Sequence, residues 1–205
     1  MSIARKYLER NDGAVTVEAA LLSSLMLLLT IAAFEICYGF FQWNTAQQSA
    51  RIGARLAATS APVSQALNSM TGLESGAQPG DPMPNYIKNC DGALASCSEG
   101  GFDGSVLNAI IYGPDNDGLC GRTEKARRGM CDLLKQIEQE NVVIEYRNSG
   151  HGRAGIPASP APLITLTLKD LEFDFAVLGY FTPRRVRTMP SISVTVIAED
   201  MRSGA

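Results

Sequence analysis

Between Gly13 and Glu35 the chain reads G-A-V-T-V-E-A-A-L-L-S-S-L-M-L-L-L-T-I-A-A-F-E, and Ala14 to Phe34 is a run of 21 residues with a single charge, Glu18. A helix needs roughly 20 apolar residues to cross the hydrocarbon core of a bilayer, so this segment has the length of one membrane span. Arg5, Lys6 and Arg10 precede it, and no Lys or Arg occurs between it and Arg51. By the positive-inside rule the N-terminus stays in the cytoplasm and the bulk of the chain is exported. A cleaved secretory signal has an apolar region of only about 7–15 residues followed by a small-x-small site. Here the run is longer, and Thr30-Ile31-Ala32-Ala33 flows straight into Phe34-Glu35. A simple uncleaved anchor remains open, but it leaves the two acids at its ends unexplained.

A carboxylate inside a membrane segment costs a few kcal/mol, so its partner is the first thing to look for. A cut between Gly13 and Ala14 would make Glu18 the fifth residue of the mature chain, one helical turn from the new α-ammonium on Ala14. Glu18 could then neutralise that charge, or the same charge on a neighbouring subunit. Glu35 follows Glu18 by 17 residues, about 25 Å along a helix. That places Glu35 at the outer boundary of the hydrocarbon, where an interfacial charge that reaches for water is the plain alternative.

A short basic leader, Gly13, a glutamate five places on and an apolar helix together resemble the type IV prepilin and pseudopilin pattern. The exit at Glu35 and the segment Q-S-A-R-I-G-A-R-L-A-A (Gln48 to Ala58) narrow the resemblance to the TadE-like family. These are minor pseudopilin-like proteins of the tight-adherence (Flp-type) pilus machinery of bacteria. The family pattern is a V-E-x-A apolar helix, here Val17 to Ala20, leading to a Glu and then to an A-x-x-G-A-R-like segment. The resemblance covers about residues 10–58, with a weaker likeness at the closing I-S-V-T-V-I-A-E-D-M-R. One departure is Ala19, which follows the glutamate where many Flp-type sites carry an aromatic residue. The resemblance implies an inner-membrane protein with a periplasmic head, and pilin and other pseudopilin subunits as partners. It also implies a prepilin peptidase acting at Gly13 and Ala14, and inner-membrane platform proteins. Its role would be to prime, cap or anchor the filament. The alternative is a membrane-anchored periplasmic binding domain with no pilus role.

Past the membrane, Ile36 to Ala58 lacks proline and is rich in helix formers towards its end. Arg51 and Arg55 share a face, suited to docking on a pilus subunit, on the chain's own head, or on lipid phosphates. Gly53 between them, and Gly39 before them, suggest close backbone approach. Prolines 62, 79, 82 and 84 make Ser60 to Gly104 mostly loop, with a short helix near Ser64 to Met70.

The C-terminal half predicts a helix over Arg122 to Glu140, with Ala126, Met130, Leu133, Leu134 and Ile137 as its apolar stripe. Alternation predicts strands over Asn141 to Arg147, around Ile164 to Leu168, and around Ile192 to Val196. The phase slips at Asp170 before Leu171, Phe173 and Phe175, which marks a bend or bulge. The expected fold class is α+β: a single transmembrane helix extended past the membrane, then a small head with an antiparallel sheet and one or two helices. The divisions are a leader 1–13, a span 14–35, a helix extension 36–59, a loop-rich linker 60–104 and the head 105–205. The long helix is expected outside the head's core.

Little in the sequence points to catalysis, a cofactor, a metal or a small-molecule substrate. The only histidine, His151, lies in the loop R-N-S-G-H-G-R-A-G. A net charge of −3 gives no reason to expect a nucleic-acid partner. G-P-D-N-D-G, Gly113 to Gly118, lacks a calcium-loop glutamate and reads as a turn. Arg184, Arg185 and Arg187 form a basic tip. Of five cysteines, Cys37 stands beside the apolar run, and Cys90, Cys97, Cys120 and Cys131 lie downstream. Four thiols in an exported domain suit two disulfides in any of three pairings. Cys90–Cys97 and Cys120–Cys131 are favoured because both close short loops.

Overall fold

The computed structural model describes residues 12–116, 118–121, 127–155, 160–177, 179 and 187–198. The basic leader (Arg5, Lys6, Arg10), Arg122 and the pair Arg184 and Arg185 lie outside the described residues. The architecture is α+β. Helix α1 runs from Asp12 to Thr59, 48 residues and about 70 Å in length. Two shorter helices follow, α2 (Gln65–Asn68) and α3 (Gly104–Tyr112). The strands are β1 (Ile87–Asp91), β2 (Ser96–Cys97), β3 (Val142–Asn148), β4 (Pro162–Leu168) and β5 (Ile192–Ile197). They form one antiparallel sheet in the order β2-β1-β3-β4-β5.

Alternation along β3, β4 and β5 directs one set of side chains into the core. Val142, Ile144 and Tyr146 are buried, as are Ile164, Leu166, Leu168 and Ile192. The register lines them up in rows across the sheet: Cys90 opposite Ile144, Ile144 opposite Leu166, and Leu166 opposite Val194. The other face is polar, with Thr165 and Thr195 hydroxyls 2.9 Å apart across β4 and β5. A one-residue slip would invert both faces, so this pattern specifies the register. The bend expected at Asp170 is present: β4 ends at Leu168 and Asp170 takes φ 56°. Beyond it, Leu171 to Phe173 pairs with Arg187 to Met189 through two hydrogen bonds and one bridge instead of forming a strand.

Three expectations are corrected. First, residues 127–138 are not helical; the only helical turn in this stretch is a 3-10 turn at Gln139–Asn141. Met130 and Ile137 are buried as the apolar stripe suggests, but through tertiary contacts. The N–H groups of Met130 and Cys131 donate to the carbonyls of Ile110 and Ile111 (3.3 and 3.0 Å), the last turn of α3. Those carbonyls have no partner within their own helix. Gly129 permits the approach, because a Cβ there would overlap the backbone of Ile111 to Gly113.

Second, the segment Ser60 to Gly104 is still largely loop but contributes β1 and β2, so the sheet has five strands where three are expected. Third, the lower half of α1 is inside the core. Ala46, Ala50, Ala54 and Ala57 are fully buried, and the helix packs across β4 and β5. Gly53 is the closest point. A Cβ there would overlap Met130 Sδ and lie 2.8 Å from Met130 Cγ and 3.0 Å from Leu166 Cδ1. Substitution Gly53→Val is therefore expected to destabilise the head by about 1–3 kcal/mol despite valine's better helix propensity. Urea denaturation of the detergent-solubilised full chain checks this.

Candidate functional site

The candidate site is α1, whose two halves meet different surroundings. Between Ala14 and Phe34 nearly every side chain is exposed; Val15 and Leu28 are each 63% and Phe34 is 77% accessible. The helix is long and apolar enough to cross a membrane. Its hydroxyls are satisfied within the helix. Ser23, Ser24 and Thr30 donate to the carbonyls of Ala20, Leu21 and Leu27 at 2.8–3.0 Å, which removes their need for water. Glu18 is exposed on this half, and the Gly13–Ala14 peptide lies in the first turn of α1. The two are one turn apart, as the sequence places them.

From Glu35 onward one stripe of α1 turns towards the head: Glu35, Gly39, Gln42, Ala46, Ser49 and Gly53, at alternating steps of four and three. Helical geometry puts such positions on one face. The side chains are small or polar, so the head's backbone comes close and hydrogen bonds directly to the helix. Glu35 is only 7% exposed, and its carboxylate accepts from the Val177 N–H. Gly39 faces the ring of Phe175, 3.2 Å from where a Cβ would sit.

The Gln42 amide makes a two-point match to the backbone of one residue, Asp174. Its Nε2 donates to the Asp174 carbonyl, and its Oε1 accepts from the Asp174 N–H, both at 2.8 Å. Ser49 Oγ donates to the Met130 carbonyl at 2.6 Å. Residues 171–177 thus form a strap across the helix where its exposed half ends.

The other sequence-derived positions fall as follows. Arg51 and Arg55 are exposed on the face opposite this stripe. Disulfides join Cys90 to Cys97, directly across β1 and β2, and Cys120 to Cys131, which ties the chain after α3 to the Met130 docking point. Cys37 is free and exposed. His151 is exposed in its loop. Elsewhere in the head, Lys169 donates a 2.7 Å hydrogen bond to Asp91 and holds that carboxyl below the usual carboxylate range. Burial pushes the Tyr146 phenol well above its ordinary value, and its oxygen accepts from the Val63 N–H at 3.0 Å.

Residues 13–55 match the TadE-like protein family. The match covers the span, the Glu35–Gly53 stripe and Arg51 with Arg55, and stops short of the sheet. No curated protein and no solved structure matches the chain. The TadE-like segment therefore carries the resemblance, and the head is known by its fold alone.

Gln42, Ser49 and Asp174 carry no signal of their role in the sequence, and Met130 stands out there only as one of an apolar stripe. Gln42 sits in F-Q-W-N-T-A-Q-Q-S, where nothing separates it from Gln47 or Gln48 except its place on the stripe. α3 was legible in principle. Asp103 caps it by accepting from the N–H groups of Ser105 and Val106, and Leu107, Ile110 and Ile111 follow at helical spacing. Gln42→Leu leaves both Asp174 backbone groups without their partner, and a loss of about 2 kcal/mol is expected. Faster amide exchange at Asp174 than in the unmodified chain is the accompanying readout.

Proposed function

We propose that this chain is a pilus-assembly component of the TadE-like kind, a minor pseudopilin held in the bacterial inner membrane by α1 with its head in the periplasm. The family match over residues 13–55 carries this reading. The geometry supports it in two ways. The half of α1 bearing Gly13, Ala14 and Glu18 is free of the head and available to a membrane and to other helices. The half bearing Glu35, Gln42 and Gly53 is built into the head, so a movement of one is transmitted to the other.

In this reading a prepilin peptidase cuts after Gly13, and the Ala14 amine so freed pairs with Glu18 or with the glutamate of an adjacent pilin or pseudopilin. Burial of an ion pair in lipid favours that pairing because an isolated charge there is costly. Arg51 and Arg55 offer a second contact, at the level of the head, to a subunit or platform protein. The head then primes, caps or anchors an Flp-type filament. The chain acts by assembly, not by catalysis.

N-terminal sequencing of membrane-extracted protein is expected to begin at Ala14, and Glu18→Ala to abolish piliation with the head still folded. An intact Met1 together with normal piliation in Glu18→Ala would overturn the processing step. A normally piliated deletion strain would leave an anchored binding domain in its place. Non-reducing peptide mapping is expected to return Cys90–Cys97 and Cys120–Cys131, and four free thiols in protein purified without reductant would refute an oxidised, exported head.

A further inference from the structure

The apolar surface of α1 does not end at Glu35. That carboxylate points at the strap and is covered by it, whereas Phe34, Ile36, Tyr38, Phe40 and Phe41 are all at least half exposed on the remaining faces. The exposed apolar surface of the helix therefore continues past Glu35. Counting roughly 20 residues of hydrocarbon-spanning helix from Glu18 reaches Tyr38, followed by Phe40, Phe41 and Trp43. Of these, Tyr38 and Trp43 are of the amphipathic kind that concentrates at the level of the lipid headgroups.

At that level the structure has an open groove of about 380 Å³ whose lining is almost wholly apolar. Ile36, Phe40 and Trp43 of α1 form one wall, and Phe173, Phe175 and Pro190 of the head form the other. Phe173 and Phe175 stack with ring centroids 5.6 Å apart. A polar cavity shares Phe175 with the groove and is lined by Asp174, Gly179 and Arg187. The Arg187 Nε is buried there without a hydrogen-bond partner.

We propose that the base of the head is a lipid-binding surface, in which this groove takes an acyl chain of a phospholipid from the leaflet that α1 crosses beside the head. The choice of occupant follows from continuity: Ile36 and Phe40, which line the groove, belong to the exposed apolar surface that α1 carries from Leu21 to Phe41. Arg187 and Asp174 line the polar cavity that adjoins the groove at Phe175, so the phosphate of a lipid whose chain fills the groove has a cationic partner there. The strap over Glu35, Gly39 and Gln42 then has a second role. It shields a carboxylate and a row of backbone groups from lipid while presenting its own phenylalanines to it. The inference rests on reading α1 as a membrane span.

Trp43 is the only tryptophan in the chain, so its fluorescence reports on the groove alone. The full chain would be reconstituted into phosphatidylethanolamine and phosphatidylglycerol vesicles containing phosphatidylcholine brominated either near the glycerol or near the chain end. Trp43 emission is expected to fall about twofold with the shallow bromines and less with the deep ones, as suits a side chain at the interface. A paired variant, Trp43→Phe with Phe34→Trp, moves the probe to the outer face of the span. If bromolipid quenches the probe at position 34 while Trp43 responds only to aqueous acrylamide, the span is right and the lipid groove is wrong. That result would leave the groove to water or to a second copy. If neither position responds to bromolipid, the membrane reading fails and the proposal fails with it.

Discussion

The stripe of small and polar side chains that α1 lays against the head is the contact on which the rest of the structure depends. A helix normally holds a sheet through large apolar residues. Here Ala46, Ala50, Ala54 and Ala57 are fully buried and Gly53 admits Met130 and Leu166. Small residues bring backbone close to backbone, so the large side chains that fill the space come from the sheet and from the chain after α3. Ile144, Tyr146, Ile164 and Leu166 do that filling. Their alternation with polar neighbours is what orients the sheet towards the helix.

Close approach also makes the polar groups of the seam unavoidable. Two of the segments that touch α1, residues 171–177 and 129–131, run irregularly and cannot pair all their peptide groups within a ladder. A buried peptide group without a partner costs about 1–3 kcal/mol, and the helix supplies the partners. Glu35 accepts from Val177, Gln42 pairs with both groups of Asp174, and Ser49 donates to Met130. Glu35 is thus one of three polar side chains with the same task. It joins the exposed half of the helix to the buried half at the point where one environment gives way to the other.

Legibility in the sequence varied with the range of the forces involved. The span was visible because an uninterrupted apolar run is a local property. The last three strands were visible because alternation is local too, and even the bend at Asp170 showed as a change of phase. The stretch Arg122–Glu140 misled for a physical reason. Its apolar spacing matches a helix, yet Met130 and Cys131 give their N–H groups to the open carbonyls of α3, and Gly129 is pressed against that helix end. A tertiary partner for the backbone outweighed the periodic pattern. β1 is hidden because its burial runs against its hydropathy: Lys88 and Cys90 are buried while Ile87 and Asn89 are exposed.

By itself the sequence determined that one helix of membrane-crossing length leads the chain, that Glu18 stands one turn from Gly13 and Ala14, and that an α+β domain follows. These are consequences of composition and spacing along a single segment. Only the tertiary structure decided what Glu35 faces, that Arg51 and Arg55 point away from the head, and that the lower half of α1 is the centre of the core. The reason is the same in each case. A helix has faces all round, and spacing tells which residues share a face but not which face a distant segment will cover. Strap residues 171–177, more than a hundred positions away, made that choice for Glu35, Gly39 and Gln42.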